Sequence, residues 1–314
     1  MQYSRTGALT TPRLASGVAI IWNPLLHIGG LRGLITNVVA GRRIALLERF
    51  SVTAWAALVA EHRPKAVSLV PSALRMVLDS GLPRDALSGV SAVFSGTAPL
   101  PVETAIEFEE RFGIPVLVVY GATEFAGGVA GWTLADWQQF GATKRGSVGR
   151  VNAGIEARVV DQESGAVVDA NSSGLLEVRG VQLGIEGWLR TTDLAHIDDD
   201  GFIWIEGRAD DVINRGGFKI SPDTVAQVLR RHTAVLDASV IAMQHARLGQ
   251  VPVAGVELRD GAEVTSAELT EWCKEHLSSY QVPVEILVVD ALPRTPSMKV
   301  SQPQLRSLFT RTSD

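Results

Sequence analysis

Val116-Leu117-Val118-Val119-Tyr120-Gly121-Ala122-Thr123-Glu124 is an apolar, β-branched run that ends in two small residues, a hydroxyl and a carboxylate. Continuous apolar character over Val116–Tyr120 suits a strand covered on both faces, as in parallel sheets. Ligands of open α/β sheets bind beyond the carboxyl ends of strands, so Thr123 and Glu124 would project into such a crevice. A hydroxyl beside a carboxylate suits a phosphate oxygen and its Mg²⁺. Taken alone, the segment is accounted for more simply by a strand followed by a capped turn.

The surrounding chain repeats the pattern. Val18–Trp22, Arg43–Leu47, Ala66–Val70 and Val90–Phe94 are short apolar bursts of the same kind. Between them, Leu31–Val39, Ser51–Glu61, Pro71–Leu78 and Pro101–Phe112 have helical spacing, with Ser51 as a candidate N-cap. This alternation predicts an α/β layer with parallel pairing. After Glu124 the texture changes. Gly127–Gly131 reads as a glycine-rich loop, and Gly146–Asp161, Gly174–Gly180 and Phe202–Glu206 read as strands between polar turns. A polar seam follows at Gly207–Asp211. Beyond it, helices are expected over Ser221–Arg231 and Ser266–Leu277, and strands over Ala238–Met243, Val251–Leu258 and Glu285–Val289. The expected organisation is a large domain over 1–207, α/β to 125 and β-rich over 126–207. A junction at 208–212 then leads to a small α+β domain over 213–314.

Composition narrows the classes of function. Apolar residues make up 46% and charged residues 20%, enough to bury a real core. The net charge of −5, with acids and bases interspersed, offers no basic stripe for nucleic acid. A single cysteine, Cys273, excludes an intrachain disulfide and a cysteine-cluster metal site. No residue run is long and apolar enough to read as a membrane span or a leader peptide, so a soluble, cytoplasmic protein is expected. The closest two of the six histidines, His232 and His245, are too far apart in sequence to share one helix face as metal ligands. G-x-S-x-G, G-x-G-x-x-G and Walker-type patterns are absent, which leaves simple hydrolase, dehydrogenase and P-loop readings without support.

Four other segments could carry chemistry. Phe94-Ser95-Gly96-Thr97-Ala98-Pro99-Leu100-Pro101 is a second strand-to-helix junction, whose small residues would let backbone approach a flat ring. It also reads as an ordinary loop with Pro101 opening a helix. In Gly187–Leu194 and Gly207–Ile213, Asp193 and Arg208 could hold the two hydroxyls of a ribose, or form a solvated ion pair. Asn214-Arg215-Gly216-Gly217-Phe218-Lys219-Ile220-Ser221-Pro222 sets a glycine pair before a helix. Leu292-Pro293-Arg294-Thr295-Pro296-Ser297-Met298-Lys299-Val300 presents one lysine on a proline-flanked loop. Each is weak alone.

In this order the segments resemble the adenylate-forming superfamily of acyl- and aryl-CoA ligases, luciferases and peptide-synthetase adenylation domains. Pro24-Leu25-Leu26-His27-Ile28-Gly29-Gly30-Leu31 and Gly146-Ser147-Val148-Gly149-Arg150 match further landmarks of that group, so the resemblance covers essentially the whole chain. It implies carboxylate adenylation by ATP followed by transfer to a thiol, with ATP, Mg²⁺, CoA and a small-molecule carboxylic acid as partners. By analogy, Gly96, Thr97, Ala98, Pro99, Tyr120 and Gly121 would enclose the adenine. Thr123 would touch phosphate, Glu124 would hold the metal, and Asp193 and Arg208 would bind the ribose. Lys299 would bridge ribose and the attacking carboxylate, His27 would border the acyl pocket, and Gly216-Gly217 would face the thiol tunnel. Asp210 falls at the family's hinge, making 213–314 a rotating lid. The match is to the C-terminal two-thirds of a typical member. The family's phosphate loop is not among these residues, Thr192 stands where Gly is usual, and Met298 stands where Gly usually precedes the lysine. The expectation is an acyl-CoA ligase of fatty or aryl acid metabolism, impaired as this chain, either as a truncated or proteolysed product or completed by a separate N-terminal chain, with self-association through exposed apolar surface as a further expectation. A carrier-loading adenylation module and a catalytically dead binding remnant are the alternatives.

Overall fold

Local chemistry sets the first elements. Ser51 accepts a hydrogen bond from the Ala54 amide at 3.2 Å and opens a helix, and Arg63 in a left-handed conformation closes it. The computed structural model describes residues 15–184 and 186–311. It divides into two compact units, Met1–Thr191 with Ala195–Ile205, and Thr192–Leu194 with Glu206–Asp314.

The first unit begins with β1 (Val18–Ile21), α1 (Ile28–Val39), β2 (Arg43–Leu46) and α2 (Val52–His62), in which β1 and β2 pair in parallel. Next come β3 (Ala66–Ser68), α3 (Pro71–Asp79), β4 (Ala92–Ser95), α4 (Val102–Phe112) and β5 (Val116–Ala122). Strands β3, β4 and β5 are parallel neighbours, the pairing that strand–helix alternation predicts. Helix α3 buries Ala73, Leu74, Val77 and Leu78 and packs on α4, which buries Phe108 and Phe112.

Gly127–Gly131 is a strand, β6, and not the loop its composition suggests. It pairs antiparallel with β5, and all five of its residues are buried. Glycine there reflects close approach. A Cβ on Gly128 would meet the Val119 side chain at 2.9 Å, and one on Gly127 would meet the Arg32 guanidinium at 2.2 Å. Helix α5 (Leu134–Phe140) and β7 (Arg150–Val151) follow, completing a five-stranded sheet in the order β3-β4-β5-β6-β7. Ala92, Leu117, Trp132 and Phe202 form one buried cluster of this unit.

The β-rich portion contains β8 (Ile155–Val160), β9 (Gly174–Gly180), β10 (Leu189–Ile197) and β11 (Ile203–Arg208), ordered β11-β10-β9-β8. In the second unit β12 (Ile213–Arg215) and β13 (Phe218–Ile220) form a hairpin. Then come α6 (Pro222–Arg230), β14 (Val235–His245), β15 (Gly249–Leu258), α7 (Ser266–His276), β16 (Glu285–Val289) and α8 (Gln302–Arg311). Helices α6 and α7 contribute Val225, Leu229, Leu269 and Cys273 to one core, which includes Ile213 and Val256. A separate cluster of Ile241, Val253, Leu292, Leu305 and Phe309 lies with α8. The α/β character and mixed sheets agree with the sequence reading. Among the described residues, no helix is long and apolar enough to cross a membrane.

Candidate active site

Two of the motif segments meet in the first unit. Parallel register places Ser95 beside Val118, so the loop Gly96–Pro99 lies next to Val119–Gly121. The approach is close enough that a Cβ on Gly96 would lie 2.6 Å from the Val119 carbonyl oxygen. Thr97 has φ +74°, a conformation that β-branched residues adopt at a cost of about 1–3 kcal/mol and that clusters at functional sites. Its hydroxyl is buried without a partner, as is that of Ser95. Unsatisfied buried hydroxyls call for an explanation, and a ligand at this junction supplies one.

Strand β5 ends in the short 3₁₀ turn Thr123–Phe125, with Ala126 left-handed after it. Phe125 is buried and its ring lies 6.1 Å from that of Tyr120, which fixes the turn. Glu124 stays exposed, and none of the described residues forms a hydrogen bond or ion pair with it. Among the described residues no cluster of three metal-ligating side chains occurs. One carboxylate fits Mg²⁺ held jointly by protein and phosphate, the usual mode for that ion. Gly121 pairs with Gly128 across the hairpin, and a Cβ there would lie 2.2 Å from the Gly127 carbonyl oxygen. Gly121→Ala is therefore expected to destabilise the first unit by about 3 kcal/mol, the overpacking range. A melt of the variant should show it.

His27 is the N-cap of α1, its Nδ1 accepting from the Gly29 amide at 3.1 Å. It is not among the residues bordering an open cavity of about 530 Å³ in this unit. Arg32, one turn further along α1, does border it, with Phe94, Val119 and Trp132. In the sequence Arg32 reads only as an interruption of an apolar run, so its place at the cavity is a residue that pattern reasoning missed.

The second unit gathers the remaining candidates. Ala209 donates its backbone N–H to the Thr192 carbonyl at 2.7 Å, which seats Arg208 near Asp193. Arg208 is held by both oxygens of Asp210, at 2.9 and 2.7 Å, and lies 3.6 Å from Asp211. That pairing raises the guanidinium's pKa and lowers that of Asp210. The expected ribose ligand is thus tied to the residue at the expected hinge. Lys299 is lowered from its ordinary pKa, first by desolvation and then by the positive charge of Arg208. It lacks any carboxylate partner among the described residues.

The loop bearing Lys299 is a built turn. Thr295 donates its amide to the Lys299 carbonyl at 2.8 Å, Met298 donates to Thr295, and Arg294 bridges Val300. Met298 takes φ +67°, the left-handed conformation for which glycine is better suited. Arg294 reaches the Met298 carbonyl at 3.3 Å and Asp237 at 2.8 Å, and Arg230 binds the other oxygen of Asp237 at 2.8 Å. This clamp was not visible in the sequence, where Asp237 is one acid between a helix and a strand. Gly216 and Gly217 form an exposed turn with φ +58° and +93° between β12 and β13.

Comparison with known proteins agrees with the motif order. Residues 3–185 match the AMP-binding enzyme family, and residues 224–299 match the AMP-binding enzyme C-terminal domain. The chain is 31% identical over 302 residues to 4-coumarate--CoA ligase 5 of Oryza sativa subsp. japonica, covering 90% of this chain and 56% of that protein. It resembles the ATP-bound structure of MatB from Rhodopseudomonas palustris with TM-score 0.83 and 26% identity, over 99% of this chain and 62% of that one. It also resembles the o-succinylbenzoate CoA synthetase MenE of Bacillus subtilis, solved with ATP and magnesium, with TM-score 0.76 and 30% identity over 92% and 61% of the two chains. The chain therefore spans little more than half the length of the curated relative. It belongs to the AMP-binding enzyme family, the adenylate-forming superfamily.

Proposed function

We propose that this chain carries the nucleotide and acyl sites of an ATP-dependent acyl-CoA ligase. A carboxylate oxygen would attack the α-phosphorus of ATP, forming the acyl–phosphate bond and releasing pyrophosphate. A thiol would then attack the acyl carbon, forming the thioester and releasing AMP. Gly96–Pro99 and Tyr120-Gly121 would enclose adenine, Asp193 and Arg208 the ribose hydroxyls, and Thr123 a phosphate oxygen. Mg²⁺ at Glu124 would neutralise phosphate charge. Lys299 would stabilise charge that builds during nucleotidyl transfer. Rotation about Asp210 would exchange Lys299 for Gly216-Gly217 between the two steps, a form of catalytic gating.

The observation that carries this reading is the close approach of Gly96 to Val119, with an unpartnered Thr97 hydroxyl at the same junction. A free acceptor of the CoA type is favoured by the relatives, which include a 4-coumarate--CoA ligase. Exposed Leu31, Ile35, Val38, Val39 and Leu46 around α1 support association with further polypeptide or with a second copy. The direct test is calorimetric titration of the chain with AMP and with a sulfamoyl mimic of an acyl adenylate. Saturable binding is expected, tighter for the mimic. Absence of binding by either would refute the nucleotide site.

A further inference from the structure

Two acids face each other on the sheet of the second unit. The register of β14 and β15 sets Asp237 opposite Glu257, beside a bulge that shifts the pairing between Val235 and Asp237. Like charges directly opposed on neighbouring strands destabilise a sheet, so this pair calls for a cation. Arg294, from the loop that carries Lys299, reaches both. Its Nη2 lies 2.8 Å from Oδ2 of Asp237 and 3.5 Å from Oε2 of Glu257. Each acid is also anchored elsewhere. Oδ1 of Asp237 accepts from Arg230 and from the Ala238 amide, both at 2.8 Å, and Oε2 of Glu257 accepts from the Leu292 amide at 2.9 Å. The two carboxylates thus form a socket built on strands, into which the loop inserts a planar guanidinium.

The other arm of that guanidinium faces the loop itself. Nη1 of Arg294 donates to the Met298 carbonyl at 3.3 Å. The base of the loop is closed by the Ser301 amide on the Pro293 carbonyl at 2.7 Å and the Thr295 amide on the Lys299 carbonyl at 2.8 Å. Met298 stays left-handed at φ +67°, which a non-glycine residue keeps only where its surroundings over-determine it. Lys299 is exposed. An exposed lysine has rotamer freedom, so the reach of its ammonium is decided by the backbone it hangs from.

Resting on the acyl-adenylating reading above, we propose that Arg294 is a positioning residue for Lys299: seated in the Asp237–Glu257 socket, it holds the loop in the conformation that presents the lysine. A guanidinium suits this task because its rigid fork can bind a carboxylate with one arm and a carbonyl with the other. An ammonium on a flexible stem has no such geometry. The loop is then ordered on folding and not during the reaction, which is the condition for effective electrostatic catalysis.

The test reads Lys299 directly. Desolvation and the nearby Arg208 hold its ammonium below the ordinary lysine pKa. Trace acetylation of the full chain across a pH series, followed by mass spectrometry against an added lysine peptide, should therefore give Lys299 the lower midpoint. In Arg294→Met the loop is released, and the Lys299 midpoint should move to that of the peptide. Arg294→Lys returns charge to the socket without the fork. It should recover thermal stability while its midpoint stays near the peptide's, and it carries the test if Arg294→Met does not fold. Thr265→Ala removes the capping box of α7 and controls for destabilisation alone, so its midpoint should equal the parent's. In the same assay, the concentration of a sulfamoyl acyl-adenylate mimic that half-protects Lys299 should rise about tenfold in the Arg294 variants, the scale of one charge-assisted hydrogen bond. A parent midpoint equal to the peptide's, a parent-like midpoint in the folded Arg294 variants, or an equal shift in Thr265→Ala overturns the positioning role. Failure of the mimic to protect Lys299 in the parent refutes the acyl-adenylating reading instead, and the midpoints still decide whether Arg294 fixes the loop.

Discussion

Asp237→Ala is expected to destabilise the second unit by about 2 kcal/mol, below the ~3–5 kcal/mol for breaking a fully buried ion pair, because the three side chains are only partly buried. Asp237 accepts from Arg230 and Arg294, each at 2.8 Å, and its Oδ1 also accepts from the Ala238 amide at 2.8 Å. Removing it leaves two guanidinium groups facing one another. The loss is moderated because Arg294 keeps Glu257 at 3.5 Å and Arg230 keeps the Ala238 carbonyl at 2.6 Å. Asp237→Asn, which retains hydrogen-bond acceptance without charge, should cost less. Hydrogen exchange across β14 reports the change locally, and a Val235–His245 segment as protected in the variant as in the parent would contradict it.

The same pair sets a pH dependence. Burial alone would raise the Asp237 pKa, but Arg230 and Arg294 outweigh it and hold the carboxyl below its ordinary value. A carboxylate whose folded pKa lies below its unfolded one stabilises fully above the unfolded value, about pH 4. That contribution fades as pH falls through the folded value. In Asp237→Ala this acid-side component should be missing.

How much could be read beforehand depends on which residues carried side-chain information. Strands β3, β4 and β5 announced themselves because β-branched runs have one good use in a two-sided sheet. Helices α2 and α3 did so through Ser51 and Pro71, which act locally. Strand β6 did not, because Gly127-Gly128 and Gly131 offer no hydrophobic period, and its pairing is dictated by what lies across it. Strand β10 was equally opaque. Arg190, Thr191 and Thr192 alternate without an apolar face, and the Thr191 hydroxyl is spent on the Leu176 carbonyl. Helix α8 followed the lysine loop with weak apolar spacing, yet buries Leu305 and Phe309. For the site, ordered motifs named residues but not their partners. Nothing in the spacing of Arg208 and Asp210 distinguished a ribose ligand from one locked by its neighbour.

On the acyl-adenylating reading proposed above, Lys299→Ala is expected to lower adenylation by about 10²- to 10³-fold, the usual effect of removing one preorganised electrostatic donor. The build of the lysine loop supports that expectation. Lys299 follows a left-handed Met298 in a turn closed by the Thr295 amide, and Arg294 ties the Met298 carbonyl to Asp237. Its ammonium is partly desolvated and repelled by Arg208, both of which lower its pKa, and an anion beside it would offset that repulsion. The charge that develops when a carboxylate attacks phosphorus is such an anion, and stabilisation confined to that moment raises the rate of the step. Capture of an already formed acyl adenylate by a thiol proceeds at the acyl carbon, with AMP leaving, and involves no attack at phosphorus. ATP–pyrophosphate exchange should therefore collapse in the variant. Thioester formation from supplied acyl adenylate should stay within about twofold of the parent, since a residue acting in one step leaves the other's barrier unchanged. Met298→Gly, which relieves the left-handed strain without touching the lysine, should leave the ratio of the two rates unaltered. If Lys299→Ala slows both steps equally, the lysine is a binding residue common to them and the assignment to nucleotidyl transfer is wrong.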